Sequence, residues 1–208
     1  MTLKANKLYL WQVSVFLLSA GILGLGTTFV VCAGVGADAL STMALGLSKH
    51  INVTVDILIF VIMYVMMGIA YLFDKKKVGF LSLVYPFIST AVMRYCMKFI
   101  HPENQIAAFA VLSIGILCMA IAITMGSKVR ICCNPYDALA FSGMEKFNCS
   151  YSVVRWVIDG SYLLSGILLG STVGLGTILI LVCLGPCTDT CMKVSNILLT
   201  NKEFKKGK

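Results

Sequence analysis

The stretch LYLWQVSVFLLSAGILGLGTTFVVCA, residues 8–33, runs for 26 residues without a charged side chain. A helix needs about 20 apolar residues to cross the hydrocarbon core of a bilayer, whereas a secretory signal has an apolar region of only about 7–15. The run therefore reads as a retained first membrane span. Five further runs follow, near 53–73, 78–98, 106–126, 151–170 and 174–198. Backbone groups in lipid find no water, so each run is expected as a helix whose hydrogen bonds close internally. Composition agrees: of 208 residues, 59% are hydrophobic and 12% charged, with a mean hydropathy of +0.91. A soluble domain carries about 25% charged residues, so a soluble enzyme, a nucleic-acid binder and a disordered chain are excluded.

The net charge of +8 is distributed by face. With a cytoplasmic N-terminus, the inner side receives Lys4, Lys7, Lys75, Lys76, Lys77, Lys128, Arg130, Lys146, Lys193, Lys202, Lys205, Lys206 and Lys208. The outer side receives Lys49, Arg94 and Lys98, and Arg155 falls within a span. Basic residues collect on the cytoplasmic side, so both termini are expected inside a bacterial cell (inner) membrane, facing anionic lipids. The tail 199–208 reads as a solvated basic anchor. Nine cysteines, an odd number lying mostly in apolar runs, argue for small apolar side chains rather than a disulfide framework. Asn52-Val-Thr54 and Asn148-Cys-Ser150 match the glycosylation pattern but abut spans.

The two halves repeat each other. Leu18-Ser19-x-Gly21-Ile22-Leu23 recurs as Leu112-Ser113-x-Gly115-Ile116-Leu117, Asp38-Ala39-Leu40 as Asp137-Ala138-Leu139, Val78-Gly79 as Val173-Gly174, and Cys96-Met97-Lys98 as Cys191-Met192-Lys193. The offsets, 94 to 99 residues, keep one order. Each copy holds three spans, an odd number, so the second must enter the membrane upside down. The expected fold is an all-α polytopic membrane domain over 1–208, with six transmembrane helices in two inverted repeats, 12–98 and 106–197.

Particular residues resemble a known family. Gly24-Leu25-Gly26-Thr27 and Gly174-Leu175-Gly176-Thr177 look like the paired GLGT signatures of the YczE/YyaS/YitT membrane proteins of bacteria. Pro135-Tyr136-Asp137 is similar to that family's proline-x-aspartate turn, Arg155 and Asp159 to its arginine followed four residues later by an acid, and Gly185-Pro186 to a turn in its last helix. Ala37 stands where a proline is expected, and Asp56 where a small residue is usual, which implies a looser or differently charged first turn. The resemblance implies a bacterial multi-pass membrane protein and supplies no substrate.

Each repeat also holds a broken element. Cys32-Ala-Gly34-Val-Gly36-Ala-Asp38 favours unwinding before a short helix near 39–49, and Pro135 suits the start of another near 137–146. Asp38 and Asp137 are read either as N-caps of those helices or as groups facing a solute. Arg155 and Asp159 share one face of the fifth span, where a charge costs roughly 2.5–3.5 kcal/mol on insertion scales, so they either line a polar pathway or form a structural pair. Arg155, near the span's start, has length enough to snorkel. Arg94 and Asp189 occupy equivalent positions, and either meet across the pseudo-twofold axis or lie at opposite faces. Pro86 and Pro186 are expected to kink their helices. Cys183, Cys187 and Cys191 form a stripe that fits core packing better than a metal, and Gly166, Gly170 and Gly174 fit either close helix approach or a turn.

No Gly-Lys-Ser/Thr phosphate loop, HExxH or GxSxG element occurs, so no enzyme, cofactor or metal is expected. The leading expectation is a transporter or permease for a small polar solute. The candidate pathway residues are Asp38, Asp137, Arg155, Asp159, Asp189 and Arg94. The structural or hinge residues are Gly26, Thr27, Gly34, Gly36, Pro86, Pro135, Gly174, Gly176, Thr177 and Pro186. The alternative is a non-transporting accessory or substrate-binding subunit, with a homodimer or a larger complex as partner.

Overall fold

Apolar runs and short breakers translate directly into helices and turns. The structure, a computed structural model, describes the backbone of residues 2–73, 75, 78–102, 104–129 and 134–206, and their side chains apart from 2–8, 56 and 197–206. Among these residues it is all-helical: α1 (Thr2–Cys32), α2 (Ala39–Ser48), α3 (Val55–Phe73), α4 (Phe80–Cys96), α5 (Gln105–Lys128), α6 (Pro135–Phe147), α7 (Tyr151–Leu168) and α8 (Leu175–Lys206). The side chains of Asp56, Lys4, Lys7, Lys202, Lys205 and Lys206, and all of Lys76, Lys77, Arg130 and Lys208, lie outside the described residues.

Among the described residues three helices are long and apolar enough to cross a membrane: Tyr9–Cys32, Gln105–Lys128 and Leu175–Asn196. The other three expected spans are shorter. Helices α3, α4 and α7 have 19, 17 and 18 residues, at the lower end of the spanning range, and α7 carries two charges. Outward faces are apolar, with Trp11, Leu18, Val65, Leu72, Phe80, Leu168 and Val182 all exposed. A surface this apolar far exceeds the patches of water-soluble monomers.

The basic tail 199–206 is helical. Helix α8 continues through it to Lys206, because Lys and Glu propagate a helix and no Gly or Pro intervenes before Gly207. Helix α8 also runs unbroken through Gly185-Pro186, where the resemblance implied a turn. Both Pro86 and Pro186 lie inside continuous helices, and Ser89 Oγ and Thr190 Oγ1 donate to their carbonyls at 3.1 and 2.8 Å.

Contacts repeat when the halves are exchanged. Helix α1 packs on α4 as α5 packs on α8; α2 lies on α7 as α6 lies on α3; α2–α3 answers α6–α7, and α3–α4 answers α7–α8. The counterparts α1 and α5 pack on each other most extensively of all, and run antiparallel: Ser19 approaches Gly126, whereas Phe29 and Val30 approach Gly115. Helix starts fix the register. Helices α2 and α6 begin at 39 and 135, and α3 and α7 at 55 and 151, both 96 apart; α4 and α8 begin at 80 and 175, 95 apart.

That register corrects one pairing from sequence. The counterpart of Asp38 is Asn134, since each is the residue preceding its short helix, and the counterpart of Asp137 is Ser41. The Asp-Ala-Leu match joined positions three residues out of step. Likewise Ala39, not Ala37, stands where the second half has Pro135.

Tight crossings hold the short helices in place. A Cβ at Gly166 would meet the Thr42 backbone at 2.9 Å, and one at Gly46 would meet Gly166 O at 2.8 Å, so α2 and α7 cross almost backbone to backbone. Gly170 serves the turn instead, with φ +79° and the Ser171 N–H closing on Gly166 O at 2.9 Å.

Candidate functional site

Helix α7 places Tyr151, Arg155 and Asp159 one turn apart on a single inward face. Arg155 does not snorkel: it is 7% exposed and enclosed by partners. Its Nε donates to Asp159 Oδ2 at 3.2 Å and its Nη1 to the Tyr151 hydroxyl at 2.7 Å, with Asp137 Oδ1 3.7 Å away. Its guanidinium lies 4.7 Å from the centre of the Tyr136 ring, a cation–π contact in a site withdrawn from solvent. Tyr136 OH donates to Asp159 Oδ1, and Tyr151 OH donates to Asp137 Oδ1 at 2.8 Å. Buried charge is tolerated only when paired and hydrogen-bonded, and this network pairs one guanidinium with two carboxylates.

The two aspartates of the broken elements do different work. Asp38 is an N-cap, accepting from the Ser41 N–H at 3.4 Å and from the Ser41 hydroxyl at 2.5 Å. Asp137 is not a cap. Helix α6 begins at Pro135, so Asp137 is its third residue and turns its carboxylate to Tyr151 and Arg155. The N-cap position belongs to Asn134, whose side chain makes no capping bond. Asn134 Nδ2 donates to Asp137 Oδ2 at 3.4 Å, and its buried Oδ1 has no partner among the described residues.

A cavity of about 100 Å³ lies against this network. Every helix contributes to its wall: Thr27 from α1, Asp38 and Ser41 at the start of α2, Met63 from α3, Thr90 and Met93 from α4, Met119 from α5, Tyr136 and Asp137 from α6, Arg155 and Asp159 from α7, and Ile180 from α8. A second cavity of about 400 Å³ shares Ser41, Ile59, Thr90 and Met93 with it and extends past Val31, Leu45 and Val55 to Arg94 and Met97. The larger cavity adjoins the central one at these four residues, as a vestibule on the side of Arg94 and Met97. The positions that answer Leu45 and Val55 in the other half are Phe141 and Tyr151. These are buried, with ring centres 5.3 Å apart.

Four of the six pathway candidates therefore line one cavity, and two do not. Arg94 stands in the outer vestibule wall, and Asp189 accepts from the Ser152 N–H at 3.3 Å and from Ser152 Oγ. Among the hinge candidates, Thr27 lines the cavity and Gly26 packs against Gly115 on α5. Gly34 and Gly36 have φ of +66° and +151°, conformations open to glycine, where α1 unwinds. The peptide between them crosses the start of α8: the Gly176 N–H donates to Val35 O at 2.9 Å, and a Cβ at Gly174 would fall 2.1 Å from that oxygen. Thr177 is buried beside Gly36, and its hydroxyl has no partner among the described residues. Cys183, Cys187 and Cys191 are free thiols packed partly buried against the core.

Sequence reasoning missed Tyr136, Tyr151 and Asn134. The signal was present, since Tyr151, Arg155 and Asp159 recur every four residues, and Asn134-Pro-Tyr-Asp137 concentrates polar groups at a helix start.

The comparisons agree with a chain alike along most of its length to proteins without an assigned activity. An uncharacterized protein of Haemophilus influenzae is 25% identical over 174 residues, covering 83% of this chain and 79% of that protein. No solved structure matches. The model of a family of unknown function, DUF6198, matches residues 10–193, which takes in α2 to α7 whole and every residue of the network; the chain belongs to the DUF6198 family.

Proposed function

We propose that this chain is a small permease, spanning a bacterial cell membrane six times as two inverted repeats around one site for a small polar solute. The observation that carries the proposal is the central cavity. It is bounded by all eight helices, lined by buried charge and joined to a vestibule toward one face. The antiparallel course of α1 and α5 supports inversion of the halves, because counterparts in parallel repeats would run the same way. Side-chain contacts support the charge-based orientation. Lys146 lies over the Phe73 ring at 5.2 Å and Lys128 donates to Asn196 at one face, while Lys49 Nζ reaches Gly170 O at 2.5 Å at the other.

In this reading the vestibule side is open. The opposite side is closed by the Phe141–Tyr151 pair and by Ser152 holding Asp189. Rocking one half against the other exchanges the two states, as inverted repeats permit. Flux in proteoliposomes tests the proposal. The purified protein is expected to move one solute of a small polar panel, with or without a proton or sodium gradient. Met93→Trp, placed where vestibule meets cavity, is expected to cut that flux about tenfold or more by filling the passage. No flux across the panel would overturn the permease reading in favour of an accessory or substrate-binding subunit. Cysteines introduced in 74–77 and 99–105 are expected to label from opposite sides, and same-side labelling would overturn the inverted arrangement.

A further inference from the structure

Accepting the central cavity as a solute site, we propose that its ligand is a small organic ammonium ion, held by the Asp38 carboxylate and the Asn134 side-chain oxygen. Charge is the first argument. Among the described residues, Asp38, Asp137 and Asp159 line the cavity with one basic group, Arg155. The Arg155 Nε and Nη1 are taken up by Asp159, Tyr151 and Asp137, so the guanidinium answers the α6 and α7 carboxylates. Among the described residues the Asp38 carboxylate bonds only to Ser41, and no basic side chain pairs with it within 4 Å. A buried carboxylate left to a hydroxyl and one weak N–H keeps lone pairs for a cation.

The second argument is independent of charge. Asn134 is 6% exposed, lines the cavity, and leaves Oδ1 without a donor. An asparagine at an N-cap ordinarily gives this oxygen to the N–H of the second or third helical residue, and here it does not. Flipping the amide is no remedy, since the oxygen would then face Asp137 Oδ2, an acceptor against an acceptor. An unpaired buried acceptor costs about 1–3 kcal/mol, which a bound donor removes. Asp38 and Asn134 are also structural counterparts, so the two acceptors flank the axis relating the halves.

Size and lining narrow the class. About 100 Å³ has room for a handful of non-hydrogen atoms, and Met63, Met93 and Met119 supply thioether and methylene surface for alkyl groups. Among the described residues no three His, Cys, Asp or Glu side chains converge closely enough to hold a metal, so the acceptors suit the directed N–H donors of an ammonium group rather than a metal ion. An anion would meet three carboxylates and an arginine already engaged.

Equilibrium binding of radiolabelled methylammonium to the purified full-length protein in detergent tests this. Saturable binding is expected, displaced by ammonium and not by sodium. Asp38→Asn keeps the cap and removes the charge, and Asn134→Leu removes the acceptor; each is expected to weaken binding about tenfold or more while the protein stays monodisperse. The proposal is overturned by no saturable binding to folded protein, by undiminished binding in both weakened variants, or by sodium competing as well as ammonium. Binding without flux would sink the permease reading and leave the ammonium site standing. Flux of a neutral or anionic solute without methylammonium binding would do the reverse.

Discussion

The two halves share one arrangement of helices and fill it differently. At 96 residues' separation, Arg155 answers Ile59, Asp159 answers Met63, Tyr136 answers Leu40, and Tyr151 answers Val55. Ile59, Met63 and Leu40 line the cavity beside the ionic network, Leu40 and Met63 packed in one cluster with Tyr136. Val55 lines the open vestibule while Tyr151 is packed shut against Phe141. At these equivalent positions the first half carries ordinary apolar side chains. The network of the second half is therefore no requirement of the fold, since buried ion pairs are commonly no more stabilising than apolar residues of like volume.

Replacing second-half residues by their first-half counterparts breaks the comparison if the network is dispensable and sharpens it if not. The largest effect is expected from Arg155→Ile, which leaves Asp137 and Asp159 buried without their cation. A loss of about 3–5 kcal/mol is expected, seen as failure to recover monodisperse protein or as a large drop in melting temperature. Adding Asp159→Met to it is expected to recover part of that loss, because fewer uncompensated charges stay buried. A single variant melting like the native protein would show that the network has no structural share.

A middle effect is expected from Tyr136→Leu. It removes the hydroxyl donor to Asp159 and the ring beneath Arg155, at a cost of about 1–3 kcal/mol, measurable as a lowered melting temperature in detergent. The smallest is expected from Ser150→Thr. Ser150 caps α7, accepting from the Val153 N–H, and Thr54 precedes α3 at the equivalent place. Both residue types cap well, so a shift within about 0.5 kcal/mol is expected. A large loss there would mean that the start of α7 has a demand beyond capping.

Much of this arrangement was legible in the residues. The run 8–33 became the apolar part of α1, the glycines at 34 and 36 became the break, and the short helices stood within a few residues of their expected limits. What misled was identity without register. Asp-Ala-Leu occurs in both halves, yet Pro135 starts α6 two residues before Asp137, which moves that aspartate from the cap into the first turn. A three-residue slip is nearly one helical turn, too little for periodicity to detect. Arg155 misled in another way. Its distance from the end of a span allowed a snorkelling path, but Tyr136, Asp137 and Tyr151 close around it from two helices.

By itself the sequence determined that the chain is helical, that its outer surface is apolar, where the helices break, and that one half resembles the other. Each of these follows from local composition, spacing and propensity. Only the tertiary structure decided which rare polar groups meet. Asp38 and Asn134 come to one cavity from segments nearly a hundred residues apart, and Asp189 is drawn away from it to Ser152. A side chain's partner is set by packing between distant helices, and that information is carried by no single stretch of the chain.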